Sequence, residues 1–130
     1  MALMKFREPN QVQWRGMRPA HNGTEVYGSG GLGAIGTVNI LPAHATLTQY
    51  VHYYSVSLIP GLAQTATLEY ATGAGVAIWV FALIYETVGG ERIPLVGNFW
   101  PPLEVLPTNQ ILLRLTAASW AQASVLAWRE

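Results

Sequence analysis

The chain has no cysteine and no aspartate, and Lys5 is its only lysine. Without cysteine there is no disulfide framework, no thiol nucleophile and no Cys-based zinc site. Without aspartate a Ser-His-Asp arrangement is excluded, and calcium loops and most carboxylate centres lose their usual ligand. Charged residues make up 11% of the sequence, against about 25% in a typical globular chain. Such a surface suits a molecule packed against something better than a solitary solvated one. A membrane helix needs about 20 consecutive apolar residues, and the longest apolar stretch, Ala74 to Tyr85, has only twelve. No apolar segment follows Met1, so the expectation is a protein made in the cytoplasm without a signal peptide or membrane anchor.

The stretch AGVAIWVFALIY at 74–85 has the valines, isoleucines and aromatics of a strand and is bounded by Gly73, Gly75, Gly89 and Gly90. Strand alternation puts Val76, Ile78, Val80, Ala82 and Ile84 on one face and Ala77, Trp79, Phe81, Leu83 and Tyr85 on the other. Both faces are apolar, so the pattern predicts a central strand with one face in the core and the other covered by the N-terminal segment or a second copy.

Further strands are predicted at 34–41, 47–59, 64–71, 92–96, 110–117 and 123–128, with a short edge strand at 11–15. Pro101, Pro102 and Pro107 place the FWPPLEVLP segment at a sheet edge or in a crossing between sheets. Seven or eight short strands without a helical period make an all-β protein, a single jelly-roll-like β-sandwich spanning residues 34–130. Residues 1–33, rich in glycine and proline, read as an extended N-terminal arm and glycine-rich loop. Residues 1–20 carry Lys5, Arg7, Arg15 and Arg18 against Glu8, a net +3, which leaves −3 on the remainder of this neutral chain. A basic arm on an acidic body is the pattern of a segment that lies on a neighbour.

Motifs for chemistry are sparse. Gly28 to Gly33 fits GxGxxG, but the strand-like AIGTVNIL follows it and no acidic residue stands about 20 positions on, so it reads as a glycine loop and no cofactor is expected. His44 and His52 have no third ligand nearby, His21 stands apart from both, and no metal site is expected. Glu69, Glu86, Glu91 and Glu104 are candidates for a carboxylate pair only if the fold gathers them. Asn22-Gly23-Thr24 matches a glycosylation acceptor that has meaning only on a secretory route. Dispersed arginines on an acidic body argue against nucleic acid. Tyr50 and Tyr54, expected on one strand face, and Trp100 are candidate rings for stacking on sugars, the alternative function being a glycan-binding β-sandwich module.

The segments LPAHATLTQYVHYYSVSL, GVAIWVFALIY, FWPPLEVLPTNQILLRLTAAS and ASVLAWRE, across residues 34–130, resemble in order the small jelly-roll domains of tailed-phage head decoration (cement) proteins. The resemblance implies a non-enzymatic structural role on the capsid surface of a virion: self-association as a homotrimer, contact with the major capsid protein, and stabilisation of the head by bridging capsid subunits. On that reading Arg7, Trp14, Arg15, Arg18, Trp79 and Phe81 are the expected capsid or subunit contacts, since buried aromatic and arginine anchors dominate interface energy.

Overall fold

The computed structural model describes residues 21–58, 64–86, 94–116 and 120–130. In chain order the strands are β1 (Thr24–Leu32), β2 (Gly36–Leu41), β3 (Gln49–Leu58), β4 (Gln64–Ala71), β5 (Ala77–Glu86), β6 (Leu95–Val105), β7 (Gln110–Leu115) and β8 (Ala121–Arg129). They form two four-stranded antiparallel sheets, sheet A in the order β1-β8-β3-β6 and sheet B in the order β2-β7-β4-β5. Apart from the β4–β5 hairpin, each strand is followed by one in the opposite sheet. That order is the jelly roll.

Period-two alternation builds the core. On β8, Ala121, Ala123, Val125 and Ala127 are buried, while Gln122, Ser124 and Leu126 alternate with them on the outer face. On β7, Ile111, Leu113 and Leu115 point inward from sheet B and join the same cluster. Alanines in one sheet leave room for leucine and isoleucine in the other, the small-against-large fit that dense packing needs. Each such aliphatic side chain stabilises the fold by roughly 1.5–3 kcal/mol through burial.

The sandwich begins earlier than the sequence suggests. Thr24 to Leu32, expected within an arm ending at residue 33, forms β1 and pairs with β8 from Thr24↔Arg129 to Leu32↔Ala121. Its glycines are spatial requirements: a Cβ on Gly28 would run into the Ile40 carbonyl oxygen, and one on Gly30 would come within 3.2 Å of the Ile40 side chain. Missing side chains let β1 approach β2 closely where the sheets meet. The described end of the segment expected as a strand at 92–96 and the proline-rich segment expected at an edge or in a crossing join in one bulged strand, β6, at the edge of sheet A, where proline is tolerated.

The largest correction concerns residues 74–85. Their greater part, from Ala77, lies in β5, which among the described residues pairs only with β4 and is the edge strand of sheet B, so the stretch expected at the centre of a sheet has one backbone edge that no described residue pairs. Hydrophobicity on both faces cannot distinguish burial between two strands from exposure at an edge.

Candidate functional site

β5 and β6 are edge strands of opposite sheets, and their side chains converge across the gap between the sheets. Phe81 from β5 packs edge-on against Phe99 from β6, with ring centroids 5.3 Å apart, and against Tyr54 from β3 at 5.2 Å. Trp79 extends the row at 5.9 Å from Phe81 and 6.0 Å from Phe99. Together Tyr54, Phe81, Phe99 and Trp79 close the side of the sandwich with aromatic rings. Tyr54 lies over Gly97, its direct partner on β6.

Two bulges shape β5. Relative to β4, Phe81 is an extra residue between Val80 and Ala82, and Ile78 another between Ala77 and Trp79. Ala82 and Phe81 therefore both reach the core side, where strict alternation would place them on opposite faces. Of the two expected contact residues on this strand, Phe81 is half-buried inside its own subunit's seam, whereas Trp79 remains 50% exposed. Val76, Ile78, Val80 and Leu83 are exposed as well, so this edge strand presents an apolar surface without a charged residue between Val76 and Ile84. Natural edge strands usually carry lysine, proline or inward charge to prevent pairing with another chain. β6 has Pro101 and Pro102; β5 has neither proline nor lysine.

The rings considered for sugar stacking are not brought together as expected. His52 is an extra residue on β3, because Val51 faces Ala127 while Tyr53 already faces Leu126. This shift reverses the alternation, leaving Tyr50 on the outer face of sheet A and turning Tyr54 inward against the core. Tyr50 instead flanks Trp128, with centroids 5.3 Å apart. His21 stacks on Trp128 in parallel at 4.3 Å and is itself held by Glu25 at 2.6 Å and by the Gly23 N–H, which donates to Nδ1 at 3.1 Å. Trp100, beside the cis Trp100–Pro101 bond, is 77% exposed.

Glu69, Arg114 and His44 have structural partners. Glu69, on the outer face of sheet B, accepts from Arg114 Nε at 2.7 Å and Nη2 at 3.0 Å, and from the Thr67 hydroxyl at 2.7 Å. Burial raises the Glu69 pKa, but hydrogen bonds from Arg114 and Thr67 and the guanidinium charge outweigh it and hold the carboxyl below its ordinary value. His44 organises a turn, its Nδ1 accepting from the Thr46 and Leu47 N–H groups. Among the described residues no three His, Cys, Asp or Glu side chains gather in a metal-binding group. Arg7, Trp14, Arg15 and Arg18 lie outside the described residues, as does Glu91.

No family model matches the sequence and no curated protein matches it. In the comparison with solved structures, the chain is similar to one in the structure of infectious bursal disease virus, Gx strain, with a TM-score of 0.41 and 14% identity. The match covers 97% of this chain and 36% of that one, so this chain spans little more than a third of its length.

Among the described residues, the candidate surface is the exposed apolar edge of β5 with the aromatic seam behind it. Sequence reasoning found its residues but placed them mid-sheet. The absence of lysine and proline from an apolar strand was the signal that bears on its edge character.

Proposed function

We propose that this chain is a non-enzymatic structural protein of a virion, a jelly-roll sandwich that self-associates and stabilises a capsid shell by bridging its subunits. The observation that carries the reading is the β5 edge: a strand with one side unpaired among the described residues and with Val76, Ile78, Trp79, Val80 and Leu83 exposed on or beside it, on a protein of low charge content. An apolar edge of this kind is a template for pairing, and leaving it bare favours uncontrolled aggregation over a defined monomer. The jelly roll hosts capsid and lectin domains alike, so the fold does not choose between them. The resemblance to head decoration proteins across residues 34–130 is what favours the virion. The assembly we propose is a homotrimer on the capsid surface, with the major capsid protein as its partner.

Molar mass by light scattering after size exclusion, at micromolar concentration, tests the self-association. The expected mass is three times the 14.2 kDa of one chain. Co-sedimentation with empty phage heads tests the second half. A monomer that also fails to bind shells sinks the proposal.

A further inference from the structure

The four strand edges of the sandwich are not equivalent. β1 and β2 lie close together where Gly28 and Gly30 pack on Ile40, and β6 is broken by its bulge and carries Pro101 and Pro102. β5 has neither the close neighbour that β1 and β2 find in each other nor the prolines of β6, and its bulges at Ile78 and Phe81 leave Ala82–Glu86 as the part in regular register with β4. That half is a template of five residues, paired with β4 on one side and with no described residue on the other.

The sequence contains a segment suited to it. Gln11-Val12-Gln13-Trp14-Arg15 alternates polar and apolar residues over five positions, with Val12 and Trp14 on one side, the period of a half-buried strand. It belongs to the first 20 residues, which carry +3. The described residues carry Glu25, Glu69, Glu86, Glu104 and Glu130 against Arg114 and Arg129, five negative charges less two positive, or −3. Segment and body are complementary in charge, whereas two bodies meeting directly are not.

We infer that residues Gln11–Arg15 of one copy add as a strand to the free edge of β5 in a second copy, along Ala82–Glu86. The inference rests on the self-association proposed above. Reach decides for a second copy. His21 is fixed on Trp128, at the end of sheet A where Tyr50 and Trp128 pair. The nearest residue of the template is Ala82, whose partner Leu68 pairs with Leu113, two residues before the end of β7 that connects to Ala121. Five residues of β8, back from Trp128, cover the distance along the strands, about 17 Å; a strand added beyond β5 lies three strand spacings from β8, about 14 Å, and the sheet gap adds about 10 Å. The straight-line separation is thus about 24 Å, measured through the protein itself. Six residues from Arg15 to His21 reach at most roughly 22 Å when fully extended, and Gly16 and Pro19 lie among them. The segment falls short of the template on its own body. Exchange of this kind is head-to-tail and closes into a ring when the rotation permits.

The cysteine-free chain permits a direct test with the full-length protein. Val12→Cys and Leu83→Cys are made as separate variants, mixed and oxidised; with Gln11–Arg15 along Ala82–Glu86, position 12 shares the face of position 83 in either strand direction, cysteine keeps a small apolar side chain there, and Leu83 is 58% exposed. Disulfide-linked dimers in the mixture, well above either variant alone and suppressed by excess unsubstituted protein, are the expected result. Dimers of Leu83→Cys with itself would overturn the inference in favour of direct β5–β5 pairing. No cross-link above the controls, from a protein whose molar mass shows an oligomer, would overturn it while leaving self-association standing. A monomeric mass would instead remove the reading beneath it.

Discussion

Tyr54 stands directly opposite Gly97 across the β3–β6 ladder, and its ring fills the space that a side chain at position 97 would need. The pairing anchors the aromatic seam, because Tyr54 also contacts Phe81 and Phe99. Gly97→Ala must displace the ring, and we expect a loss of about 1–3 kcal/mol, the usual cost of overpacking. Urea denaturation followed by tryptophan fluorescence measures it; an unchanged midpoint would show that the ring moves freely and the seam is loose.

The Glu69–Arg114 pair predicts the acid side of the stability curve. Because the Glu69 pKa is lowered on folding, its contribution is complete above the ordinary glutamate range and is lost as pH falls through the lowered value. Arg114→Met removes the partner and leaves a carboxylate that is almost fully buried. A loss of about 1–3 kcal/mol at neutral pH is expected, the cost of stranding a buried polar group. The difference from the unsubstituted protein should shrink as pH falls below the ordinary glutamate range and through the lowered value, where the carboxyl protonates in both. Parallel urea midpoints across the whole range would exclude Glu69 as the titrating group.

Val80→Lys and Leu83→Lys place on β5 the charge that edge strands ordinarily carry. Both side chains are exposed, so stability should change by no more than about 0.5 kcal/mol. Self-association should weaken or disappear in light scattering. An oligomer of unaltered mass and dissociation midpoint would move the interface elsewhere.

Deleting residues 2–20 should leave the sandwich folded, with β1 still beginning at Thr24, and should weaken assembly. Far-UV circular dichroism reads the first outcome and light scattering the second. Assembly at full strength would remove the N-terminal segment from the interface.

Much of the architecture was legible in the sequence. Gln64 to Ala71 is a strand with the limits its pattern suggests, and the prolines of β6 sit on an edge, where their missing N–H groups are tolerated. The misplacements have two physical origins. Bulges at His52, Ile78 and Phe81 add one residue each and reverse the side-chain alternation, which is why Tyr50 and Tyr54 part company. Composition does not register such an insertion. The second origin is long-range: the glycines of β1 look like a loop until Ile40 and β8 are placed beside them. Of the candidate contact residues, Trp79 and Phe81 were found but differ in exposure, because Phe81 is needed for closing the protein's own side.

The position of β8 governs how this molecule comes into being. It lies between β1 and β3, so the middle of sheet A is missing until residues 121–129 arrive, and Thr24 must find Arg129 from the far end of the chain. Such distant pairings make folding slow, on the scale of milliseconds to seconds. During that interval β1 and β3 both lack their shared neighbour. Fast nucleation around local hairpins can begin only in sheet B, where β4 and β5 are joined directly.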